Sequence, residues 1–581
     1  MKKHLCSFER SCAAGAWSLI RAWRGRLAGK SAVQPPQYEM QTMIRGFRQI
    51  AFLTALSRVF GLVRDVAYSH FFGANQLLDA WIIAFRIPNL SRRLFGEGAA
   101  SASVIPVYSQ TLYRDRKQAA QLAATVVTVA VVFLAGLVVL GEAGIWLYHK
   151  AFARTNETTL ILSLSSVMLP YMLFVCTVAI LAGLLNVHRH FAAPAAAPIV
   201  LNIFIIVTIF ATGWLLRLQA RAQLFCVALS VLAAGLAQIG IQVPALRRCG
   251  ISLRPAWQVH SDQFRKIFLL MGPMVLGLTV TQINTLADDL IAWWLSGSVE
   301  KGHILEFLGF KTKYPMWRGS VSHLYYAQRL YQLPLGVLGI SLATAIFPVM
   351  SSDAARNDLA ALQKTVAKGM RGTIFVAIPA TVGLIMVARP LISAAFEHGK
   401  FTPADTKMVT RVLAFYAVGL CGYFAQQILA RAFYAMQDSK TPMRSALVAV
   451  AANFVLNLAL VWPLDRAGLA CATAICSYIQ VGILLTVLRK KAGSGVLDGL
   501  LKTLPKTVVA TALMGASVAL VLLAMRNLPA ARSSHILRLL AVVPIGSAVY
   551  LGAARLLRIE MLSMLTGARP PFDEEVPWTK K

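Results

Sequence analysis

Apolar runs of membrane-spanning length recur along the chain from residue 46 to residue 557, separated by short polar or basic stretches. A bilayer-spanning helix needs about 20 predominantly apolar residues. The pattern predicts fourteen such helices, over 46–72, 76–98, 119–142, 159–186, 192–216, 222–246, 264–296, 322–346, 371–396, 408–435, 445–463, 467–488, 507–525 and 537–557. The fold class this implies is an all-α polytopic membrane protein. An even number of spans places both termini on one side.

The pattern also repeats. Arg86-Ile87 is followed by Ile105-Pro106-Val107-Tyr108-Ser109, as Arg329-Leu330 is followed by Phe347-Pro348-Val349-Met350-Ser351. Arg64-Asp65 precede Gly73 as Asp288-Asp289 precede Gly297, and Val200-Leu201-Asn202-Ile203 echoes Val455-Leu456-Asn457-Leu458. This common order predicts two six-helix lobes in parallel repeat, 46–246 and 247–490, around a central cavity. Helices 13 and 14 (491–558) then stand outside the repeat. Residues 1–45 read as a basic, disordered arm, and 559–581 as a tail.

Composition agrees with the pattern. The chain has 581 residues, 57% of them apolar and 14% charged, with mean hydropathy +0.63. The formal net charge of +33 could suggest nucleic acid. The apolar fraction argues against that partner and for basic flanks of membrane helices. With the N-terminus inside, the predicted cytoplasmic segments hold more than twice the Lys and Arg of the outer loops. Arg114/Arg116/Lys117, Arg247/Arg248/Arg254 and Arg489/Lys490/Lys491 are the clear inside clusters. Both termini are therefore expected on the cytoplasmic side. The eight cysteines form no CxxC pair and read as packing residues. No Walker A, HExxH or GxSxG motif is present, so the chain reads as a transporter and not an enzyme.

The informative residues are charges within the spans. An Arg or Asp at a helix centre costs about 2.5–3.5 kcal/mol on insertion scales, so it needs a cavity or a partner. Helices 1 and 2 carry Arg58, Arg64, Asp65, Asp79, Arg86, Arg92, Arg93 and Glu97, and helix 8 adds Arg329. At about 100° per residue, positions seven apart share a face. Arg58 lies above Asp65, and Asp79, Arg86 and Arg93 form a second stripe. Cations outnumber acids in this set, and guanidinium groups in a cavity suit a phosphate-bearing substrate.

These residues carry a family resemblance. Ser57-Arg58-Val59-Phe60-Gly61-Leu62-Val63-Arg64-Asp65, Phe72-Gly73-Ala74, Asp79-Ala80 and the run from Pro88 to Ala99 resemble the opening motifs of the MurJ (MviN) lipid II flippases. Leu185-Asn186, Tyr325 to Leu330 and Gly399-Lys400-Phe401-Thr402 extend the likeness. It implies the fold of the MOP exporter superfamily and movement of lipid II from the inner to the outer leaflet. The family's arginines fall on Arg58, Arg64, Arg92 and Arg329, and its acidic positions on Asp65, Asp79 and Glu97. Helices 13 and 14 would hold the polyprenyl tail, and the cell-wall synthesis machinery would be a partner. The resemblance also carries a sodium site onto Asp288, Asn453, Asn457 and Thr473. Hydrogen bonding between helices is the other reading of that set. Two features depart from the family. Gln328 stands where many relatives have Asp, and the loop over 297–321 is long and reads as solvated. A multidrug/cation antiporter or an O-antigen-type flippase of the same superfamily is the alternative function.

Overall fold

The computed structural model describes residues 37–566 apart from 96–100, 153–154, 252–253, 308 and 530. Glu97 lies outside the described residues. The described chain is almost wholly helical. The first half runs α1 (Gln37–Phe71), α2 (Gln76–Ser91), α3 (Ser101–Arg114), α4 (Arg116–Phe152), α5 (Asn156–Met168), α6 (Tyr171–Val187), α7 (Ala192–Phe210) and α8 (Ala220–Arg248). The second half begins with α9 (Asp262–Trp294). Four short strands follow: β1 (Ser296–Gly297), β2 (Ile304–Phe307), β3 (Phe310–Lys313) and β4 (Met316–Trp317). It continues with α10 (Ser320–Pro334), α11 (Ile340–Ala355), α12 (Leu359–Phe396), α13 (Pro403–Val418), α14 (Leu420–Ala435), α15 (Lys440–Leu464) and α16 (Arg466–Ala492). Helices α17 (Leu500–Ala524), α18 (Arg532–Leu556) and α19 (Met561–Thr566) close the chain.

Eleven described helical segments are long and apolar enough to cross a membrane. The other three expected spans overlap α1, α2 and α9, and α2 is the shortest of these at 16 residues. Two expected spans are interrupted where the sequence removes a backbone donor. Pro170 separates α5 from α6, and Pro334 precedes a π-helical turn over Leu335–Gly339 that leads into α11. Start signals are equally legible. Asn75 caps α2 by accepting from the Leu77 and Leu78 amides. Thr402 and Asp405 form a capping box on α13, with Pro403 in its first turn. Large apolar side chains such as Val139, Leu140, Val207, Leu520 and Leu540 are exposed, as a bilayer-facing surface requires.

The apolar cores show how the two lobes meet. At the end where α1 finishes and α10 begins, one core crosses the boundary. Tyr68, Phe72 and Trp81 pack there in one cluster with Val321, Tyr326, Phe396 and Phe401. At the opposite end the cores are separate. One joins Val107, Tyr108, Leu122 and Leu184, and the other joins Met350, Leu362, Ile428 and Leu488. The lobes thus share one core at one end, whereas at the other their cores are distinct and Ile251 and Ile267, at the start of the second lobe, pack with the first. Helices α17 and α18 lean on α12, with Tyr550 donating to the Phe375 carbonyl.

The loop over 297–321 is more ordered than a solvated connection. Strands β2 and β3 form an antiparallel hairpin, and β1 pairs in parallel with β4, so the hairpin stands on a closed base.

Candidate functional site

Helix α1 brings Arg64 and Asp65 to the seam between the lobes. The Arg64 guanidinium donates to Asp65 Oδ1 (2.8 and 3.1 Å), to Asn202 Oδ1 on α7 (3.0 Å) and to the Tyr325 hydroxyl on α10 (3.2 Å). Tyr325 in turn donates to Asp65 Oδ1 at 2.8 Å. Arg329, one turn further along α10, donates to the Tyr325 hydroxyl at 3.2 Å and lies 3.5 Å from Asp65 Oδ2. Two guanidinium groups thus share one carboxylate. Arg64 is nearly buried, whereas the Arg329 side chain is 39% exposed and can meet a ligand. Arg58, two turns before Asp65, is exposed. Its guanidinium sits against the π-helical turn after α10, where a Cβ at Gly336 would come within 3.1 Å of Nη1.

The second stripe faces the other lobe along its whole length. Asp79 is buried and accepts from the Gly319 amide (2.6 Å), the Ser322 amide (2.7 Å) and the Ser322 hydroxyl (2.6 Å). It therefore caps α10 from the opposite lobe, where the helix N-terminus presents free N–H groups and partial positive charge. Arg86 pairs with Asp289 on α9 at 2.5 Å, and Arg93 donates to Gln282 on the same helix at 3.2 Å. Arg92 donates to Asn89 Oδ1, one turn back, at 3.2 Å. Of the candidate charges, Arg58, Arg64, Asp65, Asp79, Arg86, Arg93 and Arg329 all approach the lobe seam.

Sequence reasoning missed Asp289 as the partner of Arg86, and so undercounted the acids. Its adjacency to Asp288 was the available signal. It also missed Tyr325 and Asn202, whose roles depend on which helices touch. Asp65 supplies the acid near Arg329 that Gln328 does not. Gln328 instead donates to the buried Tyr416 hydroxyl at 3.1 Å.

The repeat explains the arrangement. Arg64 meets Asn202 in the first lobe as Asp288 meets Asn457 in the second, where Asn457 Nδ2 donates to Asp288 Oδ1 at 2.6 Å. Equivalent places hold opposite charges. The pairing between lobes is reciprocal. Asp65 on α1 receives Arg329 from α10, and Asp289 on α9 receives Arg86 from α2.

Asp288, Asn453, Asn457 and Thr473 do converge. Asn453 Oδ1 accepts from Asn457 at 2.8 Å, and Thr473 Oγ1 lies 3.5 Å from Asp288 Oδ2. The outer atom of the Asn453 amide stands 2.9 Å from Asn284 Oδ1 and 3.1 Å from Asp288 Oδ1. With nitrogen there, it donates to both. With oxygen there, three oxygens crowd together, as ligands of a hard cation do. Hydrogen bonding between the helices satisfies the set as it stands, and its oxygens are also of the type that ligates a hard cation such as sodium.

A helical membrane protein with two repeated lobes and arginines held at their seam belongs to the class of two-lobed transporters. Comparison with known proteins narrows this. The family model described as "Lipid II flippase MurJ" matches residues 68–538, and the chain belongs to that family. A "Probable lipid II flippase MurJ" of Vibrio cholerae is 32% identical over 75% of this chain and 81% of its own length. The "Lipid II flippase MurJ" of Burkholderia cenocepacia is 30% identical over 77% of this chain and 84% of its own. The solved structure "Lipid II flippase MurJ, inward closed conformation" superposes with a TM-score of 0.70 at 25% identity, covering 88% of this chain and 99% of that one. An inward-facing MATE family transporter of the MOP superfamily shares the fold alone, at 13% identity and a TM-score of 0.55 over 76% of this chain and 95% of its own.

Proposed function

We propose that this protein moves lipid II from the inner to the outer leaflet of the bacterial cytoplasmic membrane by alternating access. The observation that carries the reading is the cluster at the lobe seam. Arg64 and Arg329 share the single carboxylate of Asp65, and Arg58 stands exposed nearby. The excess positive charge suits a diphosphate, which guanidinium grips bidentately.

The excess of basic residues in the predicted inside segments supports cytoplasmic termini. On that orientation the end with the shared core faces outward and the end with distinct cores faces the cytoplasm. The diphosphate would enter from the cytoplasmic side and meet Arg58, Arg64, Arg92 and Arg329. It would compete with Asp65 for the two arginines that Asp65 now holds. The sugar-peptide head would stay in the wet cleft while the polyprenyl tail runs along α17 and α18. Binding shifts the lobes only as far as the arginines hold the substrate better in one state than the other. Asp288, Asn453, Asn457 and Thr473, with Asn284 beside them, would hold a sodium ion, whose gradient can supply free energy for the cycle. The MATE likeness keeps drug or cation export as the second reading, but that likeness extends to the fold alone.

The test is leaflet-resolved labelling of lipid II in cells that depend on this protein. Arg64→Gln or Arg329→Gln, expressed at normal level, should trap lipid II in the inner leaflet and stop growth. Normal outer-leaflet labelling in both variants would overturn the assignment.

A further inference from the structure

The long loop before α10 places one more charge between the lobes. Arg318 donates to Glu157 Oε2 from both Nε (3.1 Å) and Nη2 (2.6 Å), and its Nη1 donates to the Trp293 carbonyl. Its guanidinium lies 3.5 Å over the Trp293 ring. The two side chains are 5% and 1% exposed, so the pair is dry. Glu157 opens α5 in the first lobe, whereas Arg318 and Trp293 belong to the second. The mini-sheet sets the geometry. β1 beside β4 brings Arg318 back to the end of α9, and its amide donates to the Gly297 carbonyl at 3.1 Å. From the same loop, Glu300 accepts from the Glu157 amide at 3.4 Å. Lys301 is half-buried nearby. Burial lowers its pKa, the Arg318 charge lowers it further, and Glu157 offsets part of this.

We propose that Arg318 and Glu157 form a second lock on the end with the shared core, built by the loop and acting alongside the Asp79 cap of α10. This rests on the alternating-access reading. The stacking and the Trp293 carbonyl keep Arg318 with its own lobe, so opening must separate it from Glu157. Removing one partner of a buried pair leaves the other charge unpaired and weakens the closed state strongly. Arg318 and Glu157 are positioning residues for the transport cycle, away from the substrate arginines.

The test reads closure directly. The His70 carbonyl accepts from the Lys400 amide across the seam at 3.0 Å, so cysteines at His70 and Lys400 in an otherwise cysteine-free chain should cross-link when that end is shut. In membranes, Glu157→Gln and Arg318→Met should each slow cross-linking about tenfold. The exchange Glu157→Arg with Arg318→Glu should recover most of it, which separates a lock from a folding defect. Unchanged cross-linking in Glu157→Gln and Arg318→Met, with a clear loss in Asp79→Asn, would overturn the lock and leave alternating access standing. Lipid II movement that persists in the cross-linked protein would overturn alternating access itself.

Discussion

Asp65 is the residue on which the site turns. It faces two guanidinium groups and the Tyr325 phenol, whose hydroxyl bonds both guanidinium groups and the carboxylate. Tyr325→Phe keeps the ring under Arg329 but removes the hydroxyl that orients both arginines. A hydrogen bond to a charged group contributes about 1.5–3 kcal/mol. Lipid II movement measured in vesicles should therefore fall about tenfold or more in Tyr325→Phe while the amount of folded protein is unchanged. The charged positions themselves were legible in the sequence, because a charge in an apolar run must have a reason to be there. Their partners were not. Tyr325, Asn202 and Asp289 are chosen by which helices touch, and helical period alone does not carry that information.

At the scale of elements, helix ends and helix contacts govern the behaviour. α10 begins at Gly319 without a cap of its own, and Asp79 provides one from the other lobe. Asp79→Asn keeps the shape but loses the charge facing the helix N-terminus. An N-terminal carboxylate contributes up to about 2 kcal/mol in partly buried settings. The variant should melt lower in a thermal scan of the purified protein and cross-link less between His70 and Lys400 positions. The polar set of Asp288, Asn453, Asn457 and Thr473, proposed to hold sodium, joins α9, α15 and α16. Sodium, but not potassium, should raise the melting temperature of the wild-type protein, and Asp288→Asn should abolish that rise. Helix positions were readable from the apolar runs, but the breaks at Pro170 and after Pro334 fall inside two runs that read as single spans. The ordered loop was not readable. Its strands are two to four residues long, and its closing contacts run to the end of α9 at Trp293 and to Glu157 in the other lobe.

At the scale of the whole molecule, the repeat has diverged in charge while keeping its geometry. The first lobe places Arg64 where the second places Asp288, so one half attracts anions and the other cations. The same duplication leaves Asp65–Arg329 and Asp289–Arg86 crossing the seam in opposite senses. Neither lobe can move off without giving up a partner at both places. The free energies of the two pairs therefore add, and their separate contributions to the closed-to-open ratio multiply. Partial opening gains little, because it breaks the pairs before any substrate replaces them. For a protein in an energised membrane this bears on leakage. A seam that yields by degrees would let ions slip through between cycles, whereas one that yields all at once keeps the barrier. Arg86→Gln, reconstituted in vesicles carrying a pH-sensitive dye, should pass protons faster than the wild-type protein in the absence of lipid II. The crossed pairs thus make the seam an insulator as well as a hinge.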